Sequence, residues 1–151
     1  MKIISGGQTG VDRGALDAAI DMNVPHGGWC PRGRLAEDGQ IPPRYQLRET
    51  ESPEYHVRTE QNVLDSDATL ILCHGTPTGG TALTLRLAGQ HGKPHLVVDL
   101  DNPIPPEEAA GWLQSNKIEI LNVAGPRESQ SPGAAAEAAA LVQNLLQRKE
   151  T

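Results

Sequence analysis

The sequence predicts an α/β fold: a doubly wound, Rossmann-like sheet of about five mainly parallel strands, with helices on both of its faces. Short apolar runs alternate along the chain with segments of helical periodicity, and this alternation is typical of βαβ units. Residues 68–73 are almost wholly apolar, as expected for a strand that is buried on both faces. Glycine pairs stand where two of the strands pass into helices, which is where parallel sheets bind ligands.

The first half of the chain holds two predicted strands and two predicted helices. Residues 2–5 form a short apolar run that ends at a pair of glycines, which predicts the first strand. Residues 11–22 place apolar side chains about one helical turn apart, which predicts an amphipathic helix. Residues 24–29 give a weaker strand, and residues 54–66 give a helix with one apolar face.

The second half continues the alternation. The predicted elements are a strand at 68–73, a helix at 79–90, a strand at 94–100, a helix from residue 105, a strand at 118–123 and a helix at 132–148. The run at 68–73 is the clearest strand and is therefore expected at the centre of the sheet. Prolines and glutamates open the helix at 105, where a missing amide proton costs little and negative charge favours the helix dipole.

The length of the chain, 151 residues and 16.1 kDa, is near the usual size of one domain. No internal repeat or linker divides it, so we expect a single Rossmann-like ligand-binding domain over residues 1–151. Residues 30–53 depart from the alternation, because they are rich in proline and lack periodicity. A connection of that length inside a compact domain is usually functional or disordered, and we expect a functional loop there.

Composition excludes several classes of protein. No apolar run approaches the roughly 20 residues of a membrane span, and the first residues do not have the pattern of a signal peptide. The net charge of −6 argues against nucleic-acid binding, which uses basic surface. Two cysteines 43 positions apart are neither a disulfide framework nor a metal motif, and they suit the cytoplasm. The five histidines have no metal-ligand spacing, so no metal site is expected.

Two glycine loops open predicted helices and are the candidate binding site. They contain Gly6, Gly7, Gln8, Thr9 and Gly10 in the first loop, and Thr78, Gly79, Gly80 and Thr81 in the second. Glycine lets the backbone approach a ligand closely, and the free amides of a helix N-terminus suit an anion. We expect the two loops on neighbouring strands, where they would meet at one crevice and could hold one phosphate-bearing ligand from both sides. The alternative is that these glycines serve only tight turns that need positive φ.

Charged residues beside these loops extend the candidate site. Asp12 in the first helical turn either favours the helix dipole or faces a ligand. Arg13 beside it is unfavourable there unless it meets an anion or a carboxylate. Arg127, Glu128 and Ser129 form a third loop after the last strand, in which the arginine could bind phosphate and the serine could donate a hydrogen bond; a solvated loop before the last helix is the alternative.

Several motifs together resemble one family. The chain is similar to the molybdenum carrier family in Gly6-Gly7-Gln8-Thr9-Gly10-Val11-Asp12-Arg13, Pro31-Arg32-Gly33-Arg34-Leu35-Ala36-Glu37-Asp38-Gly39, Thr78-Gly79-Gly80-Thr81-Ala82-Leu83-Thr84 and Asn122-Val123-Ala124-Gly125-Pro126-Arg127-Glu128-Ser129. The segment from Tyr55 to Asp67 matches as well. This family is similar to the Rossmann-like group of the lysine-decarboxylase-like, cytokinin-activating phosphoribohydrolases. The resemblance covers nearly the whole chain.

The resemblance implies a cytoplasmic, homo-oligomeric protein that carries molybdenum cofactor or a related phosphate-bearing pterin or nucleotide-derived ligand, with apo-molybdoenzymes as possible recipients. In the related hydrolases a catalytic Glu lies three positions after the Thr of the glycine loop; here that position is Thr84. An arginine that contacts substrate in those enzymes matches Arg58. We therefore expect binding without catalysis. A nucleoside-monophosphate phosphoribohydrolase-like enzyme and a nucleotide-sensing regulatory domain are the alternatives.

Overall fold

The computed structural model describes residues 1–150, and the side chains of residues 1–148. In chain order the elements are β1 (Lys2–Ile4), α1 (Val11–Asp21), β2 (His26–Gly27), β3 (Trp29–Cys30), β4 (Leu35–Ala36), β5 (Gly39–Gln40), β6 (Arg48–Glu49), α2 (Tyr55–Asp65), β7 (Ala68–Cys73), α3 (Gly79–Gln90), β8 (His95–Asp99), α4 (Pro106–Ser115), β9 (Ile120–Ala124) and α5 (Ala134–Glu150).

The central sheet has five parallel strands in the order β2-β1-β9-β7-β8. All six residues of β7 are buried, because helices cover both faces of this strand. Helices α1, α4 and α5 share the main aliphatic core on one face, whereas α2 and α3 form a smaller cluster on the other. This arrangement confirms the predicted α/β, Rossmann-like fold.

The strand order reverses direction near the middle of the sheet. From β1 the chain moves outwards to β2, and from β7 it moves outwards to β8 on the other side. The last strand, β9, returns to lie between β1 and β7. The expectation that the two glycine loops follow neighbouring strands is therefore wrong. The third loop, which follows β9, lies between them at the carboxyl edge of the sheet, where ligands bind in folds of this type.

The predicted strand at 24–29 is divided in two. His26 and Gly27 pair with β1, whereas Trp29 and Cys30 pair with β6 in a separate ribbon. Between them Gly28 has φ +124°, and a Cβ at this glycine would lie 2.3 Å from the carbonyl oxygen of Ser5. The chain leaves the central sheet at Gly28 because only a residue without a Cβ fits there.

The segment 30–53 is folded against α1. It contains the β3–β6 ribbon and the antiparallel β4–β5 hairpin, neither of which the sequence predicted. Its apolar side chains Cys30, Ile41 and Tyr45 form a separate small core with Leu16 of α1. The guanidinium of Arg34 donates to the carbonyl oxygens of Ile41, Pro42 and Tyr45 at 3.1, 2.9 and 2.8 Å. These bonds replace the regular ladder that a longer sheet would supply.

Helices α1 and α5 pack unusually close together. A Cβ at Gly14 in α1 would lie 2.2 Å from the carbonyl oxygen of Ala135 in α5. Ala15 and Ala18 in α1 and Ala138 in α5 are fully buried. Small side chains on both helices let the backbones approach, which compensates for the absence of phenylalanine from this core.

We predict that Gly14→Ala lowers the free energy of unfolding by about 1–3 kcal/mol, because the added methyl overpacks the contact between α1 and α5. Gly111→Ala in α4 is the matched control, since a Cβ there meets nothing within 4 Å. The control is expected to raise stability by about 0.5–1 kcal/mol. Urea unfolding of both variants measures the difference; a Gly14→Ala variant as stable as the control would contradict the close packing.

His74 joins three parts of the fold just beyond β7. Its Nδ1 lies 2.7 Å from Asp101 Oδ1 and its Nε2 lies 2.9 Å from Glu137 Oε1. Hydrogen bonds to Glu137 and then Asp101 raise the pKa of His74 from 6.5 to about 9. The imidazolium therefore links the loop after β7, the loop after β8 and helix α5.

We predict that the stability provided by His74 is lost at alkaline pH. Because its pKa is higher in the folded chain than in the unfolded chain, the contribution is fully present below about pH 6.5 and disappears as pH rises through about 9. Urea unfolding should show a destabilised His74→Gln variant near pH 6 and little difference from wild type near pH 10. In the double variant Asp101→Asn, Glu137→Gln, the effect of His74→Gln on stability should depend much less on pH. An equal effect of His74→Gln at both pH values would contradict this account.

Candidate functional site

A cleft of about 230 Å³ opens at the carboxyl edge of the sheet. The first and third loops, the N-terminal turns of α1 and α3, and helix α2 supply its walls, which include Gln8, Asp12, Tyr55, Arg58, Thr59, Gly80, Thr81, Thr84, Arg127 and Gln130. The structure thus brings together seven of the residues that the sequence predicted for binding. These are Gln8, Asp12, Arg58, Gly80, Thr81, Thr84 and Arg127.

The first and third loops are in direct backbone contact. Gly10 has φ +83°, and a Cβ there would lie 2.4 Å from the carbonyl oxygen of Pro126. The Val11 amide donates to the same oxygen at 3.2 Å, and the Glu128 amide donates to Thr9 Oγ1 at 3.1 Å. A side chain at Gly10 would therefore separate the loops that form the cleft.

Gln8 lines the cleft and has a buried donor without a partner. Its Oε1 accepts the amide hydrogens of Thr9 at 3.0 Å and Glu37 at 2.9 Å, which fixes the amide group. The residue is only 6% exposed. Among the residues that the structure describes, no acceptor reaches its buried Nε2.

Arg58 provides a second donor of the same kind. Its guanidinium lies against the backbone of Gly6, where a Cβ would come within 2.7 Å of Cζ. Nη1 donates to Thr59 Oγ1 at 2.7 Å, while the buried Nε has no acceptor within the described part of the chain. A buried donor left unsatisfied costs about 1–3 kcal/mol. Gln8 and Arg58, the two residues with such donors, both line the cleft.

Asp12 lies beneath the same cleft with only 4% of its surface exposed. Burial raises the pKa of its carboxyl, and the positive charge of Arg58 opposes that shift. The Gln8 amide donates to Oδ2 at 3.3 Å. Asp12 thus stands both in the first turn of α1 and at the cleft, so the two interpretations of this residue are compatible.

Tyr55 lies between the two arginines of the cleft. Its ring centroid is 5.5 Å from Arg58 Cζ and 5.8 Å from Arg127 Cζ, within the range of cation–π contacts. Tyr55 is not among the residues that the sequence predicted for the site. One signal was available: it lies one helical turn before Arg58 in a chain with two tyrosines.

The second glycine loop leaves open space at the entrance of the cleft. A Cβ at Gly79 or Gly80 would meet nothing within 4 Å, and Gly79 has φ +53°. Thr84 Oγ1 donates to the Gly80 carbonyl at 3.0 Å, so this hydroxyl stabilises the first turn of α3. Thr78 is exposed at the N-terminal boundary of α3.

The charge of Arg13 is paired with a carboxylate. Nη1 and Nη2 lie 2.5 and 2.8 Å from the two carboxylate oxygens of Asp38, and Nε donates to the Gly7 carbonyl at 3.0 Å. Arg13 holds the pKa of Asp38 below its usual range. Arg13 therefore attaches the segment 30–53 to the first loop, and contact with a ligand would require Asp38 to leave.

Two predicted residues of the third loop have bonds within the chain. The carboxylate of Glu128 accepts the amide hydrogens of Gly133 at 2.6 Å and Ala135 at 3.0 Å. It stabilises the N-terminus of α5, which begins at Ala134, slightly later than predicted. The hydroxyl of Ser129 donates to Glu37, a residue for which the sequence predicted no role in binding.

Both cysteines lie in the interior. Cys30 is wholly buried in the small core and Cys73 nearly so at the end of β7, and burial raises the pKa of both thiols.

Within the described residues, no group of three or more His, Cys, Asp or Glu side chains could hold a metal ion. Over the same part of the chain, no helix has the length and apolar character needed to cross a bilayer.

Comparison with known proteins gives the family. The model of the circularly permutated YpsA SLOG family matches residues 3–146. A crystal structure at 1.45 Å resolution, named "Putative molybdenum carrier protein" from Syntrophus aciditrophicus SB, is 51% identical; the match covers 97% of this chain and 92% of that chain, with a TM-score of 0.87. No curated protein matches the chain. The motifs, the fold and these likenesses agree, and the chain belongs to the circularly permutated YpsA SLOG family.

Proposed function

We propose that the chain binds and carries a small anionic ligand, a phosphate-bearing pterin or a nucleotide-derived molecule, in the cleft between the glycine loops. The observation that carries this proposal is the pair of buried N–H donors, Gln8 Nε2 and Arg58 Nε, which have no acceptor among the described residues. Arg127 adds positive charge to the same cleft. Phosphate oxygens are acceptors that suit such donors, because arginine and amide groups form strong charge-assisted bonds with them.

Molybdenum cofactor is the specific cargo that we propose. The name of the solved relative, a molybdenum carrier protein, supports this choice. The donors of the cleft fit the phosphate of such a ligand. As part of the same proposal, the chain forms a homo-oligomer in the cytoplasm and delivers cargo to apo-molybdoenzymes. Native mass spectrometry of the expressed protein tests cargo and subunit number together; a bare monomer would contradict both.

We predict that Arg127→Ala weakens binding of the isolated cofactor, kept from air, by about 10- to 100-fold. The estimate follows from the loss of about 1.5–3 kcal/mol for a hydrogen bond to a charged group. Arg86→Ala removes the same charge from an exposed position on α3 that does not line the cleft, and it should bind as wild type does. Fluorescence titration measures the affinities. Absence of saturable binding, or equal loss in both variants, would contradict the proposed site.

A nucleoside-monophosphate phosphoribohydrolase-like activity is the second candidate, and Asp12 favours it. Three carboxylates, those of Asp12, Glu60 and Glu128, are candidates to substitute for the Glu whose position Thr84 takes. Of these, Glu128 is bonded to the N-terminus of α5. Glu60 lies 3.0 Å from His91 on the outside of α2 and α3. Asp12 alone of the three lines the cleft, and its raised pKa suits a general acid. Thr84, whose hydroxyl is bonded to Gly80, favours the carrier.

If the second candidate is correct, nucleoside 5′-monophosphates release free base, and Asp12→Asn abolishes the release. A general acid acts in its protonated form, so the rate should fall as pH rises through the raised pKa of Asp12. Chromatography of a panel of nucleotides incubated with the protein detects the base. Release no faster than in protein-free samples would exclude this activity for the panel.

A further inference from the structure

We infer that Thr9 and Ser129 form an anion subsite beside the cleft, that the carboxylate of Glu37 occupies this subsite in the structure, and that a ligand with two linked phosphoryl groups displaces Glu37. The inference rests on the proposed function, because it assigns the first phosphoryl group to the cleft. It goes further by naming a diphosphate as the ligand class and residues 35–40 as the segment that must move.

Three donors from two loops converge on the Glu37 carboxylate. The hydroxyls of Thr9 and Ser129 both donate to it, and the Ser129 amide donates to Oε2 at 3.2 Å. The hydrogen bond from the Ser129 hydroxyl, followed by that from Thr9, holds the pKa of Glu37 below its usual range, and the charge of Arg127 acts in the same direction. Hydroxyl and amide donors with a nearby guanidinium are also the groups that bind a phosphoryl oxygen.

The segment that carries Glu37 can leave more easily than the loops it touches. The β4–β5 hairpin has only two residue pairs, Leu35 with Gln40 and Ala36 with Gly39. Leu35 is 42% exposed, and only Ala36 packs against the small core; a two-stranded hairpin with so little burial is marginally stable. Side-chain bonds therefore hold the hairpin down: Glu37 to the loops, and Asp38 to Arg13. Competition for these bonds would release it, since such short elements open at low free-energy cost.

Gln8 connects the proposed subsite with the cleft. Its Oε1 accepts the amide hydrogen of Glu37, whereas its Nε2 is the unpaired donor at the cleft. Arg127 likewise lines the cleft and contributes to the low pKa of Glu37. Two phosphoryl groups joined by one bridging oxygen could thus use both places, whereas a single phosphate would use only one.

Calorimetric titration with inorganic pyrophosphate and with orthophosphate tests the inference. In Glu37→Gln the competing charge is gone, so we expect pyrophosphate to bind about tenfold tighter than to wild type, a change of about 1.4 kcal/mol. Orthophosphate should change much less. Glu51→Gln is the matched control, because it removes the same charge from an exposed position of segment 30–53 that lies outside the cleft; its affinity for pyrophosphate should equal that of wild type.

Two further measurements separate competition for the subsite from mere loosening of the hairpin. Glu37→Gln, Ser129→Ala should lose the gain in pyrophosphate affinity, since the donor itself is removed. Hydrogen exchange of wild-type residues 35–40 should become faster when pyrophosphate is added. Equal affinity in Glu37→Gln and wild type, retention of the gain without Ser129, or slower exchange would overturn the subsite. If one of these outcomes is observed but Arg127→Ala still abolishes pyrophosphate binding, the proposed function stands without the subsite. Lack of pyrophosphate binding by every variant overturns the subsite, and the cofactor titration then decides the proposed function separately.

Discussion

Backbone contacts that only glycine permits fix the carboxyl edge of the sheet, and the site depends on them. A Cβ at Gly10 would collide with the Pro126 carbonyl, and a Cβ at Gly125 would lie 2.2 Å from the Leu72 carbonyl. These two contacts bring the first loop onto the third and the third onto the end of β7. Because β9 is inserted between β1 and β7, the third loop is the centre of the arrangement. The cleft exists because the first loop, the third loop and the end of β7 approach more closely than side chains would allow.

The charges at this edge divide into two groups. Arg13, Asp38, Glu37 and Glu128 have partners within the chain, and their role is to hold loops and a helix end in position. Arg58 retains an unpaired donor, and Arg127 borders the cleft. An acidic protein with a net charge of −6 therefore offers positive charge in the concave place where field lines concentrate. The local pairing thus leaves positive charge at the cleft, which is opposite to what the overall charge alone would indicate.

The sequence predicted the regular part of the fold well because its signals are local. The strand at 68–73 and the helix at 79–90 agree with β7 and α3 at both ends, since a continuous apolar run and a glycine turn define them. The ribbons in segment 30–53 could not be predicted in the same way. They depend on side chains distant in sequence, such as Glu37 on Ser129. Strand order could not be predicted either, because the alternation of strands and helices does not show which strands are adjacent in the sheet. For this reason the expectation for the two glycine loops was wrong.

Because both thiols are buried, the rate at which each cysteine is alkylated reports local opening of the structure around it. Only a thiolate reacts quickly with alkylating reagents, and both cysteines are buried in the folded chain. Cys30 is enclosed by the small core under segment 30–53, whereas Cys73 ends the central strand. The rate of alkylation at Cys30 would thus report how often that segment lifts, and the rate at Cys73 how often the sheet itself opens. The two cysteines therefore allow the opening of segment 30–53 and the opening of the central sheet to be measured separately, without added labels.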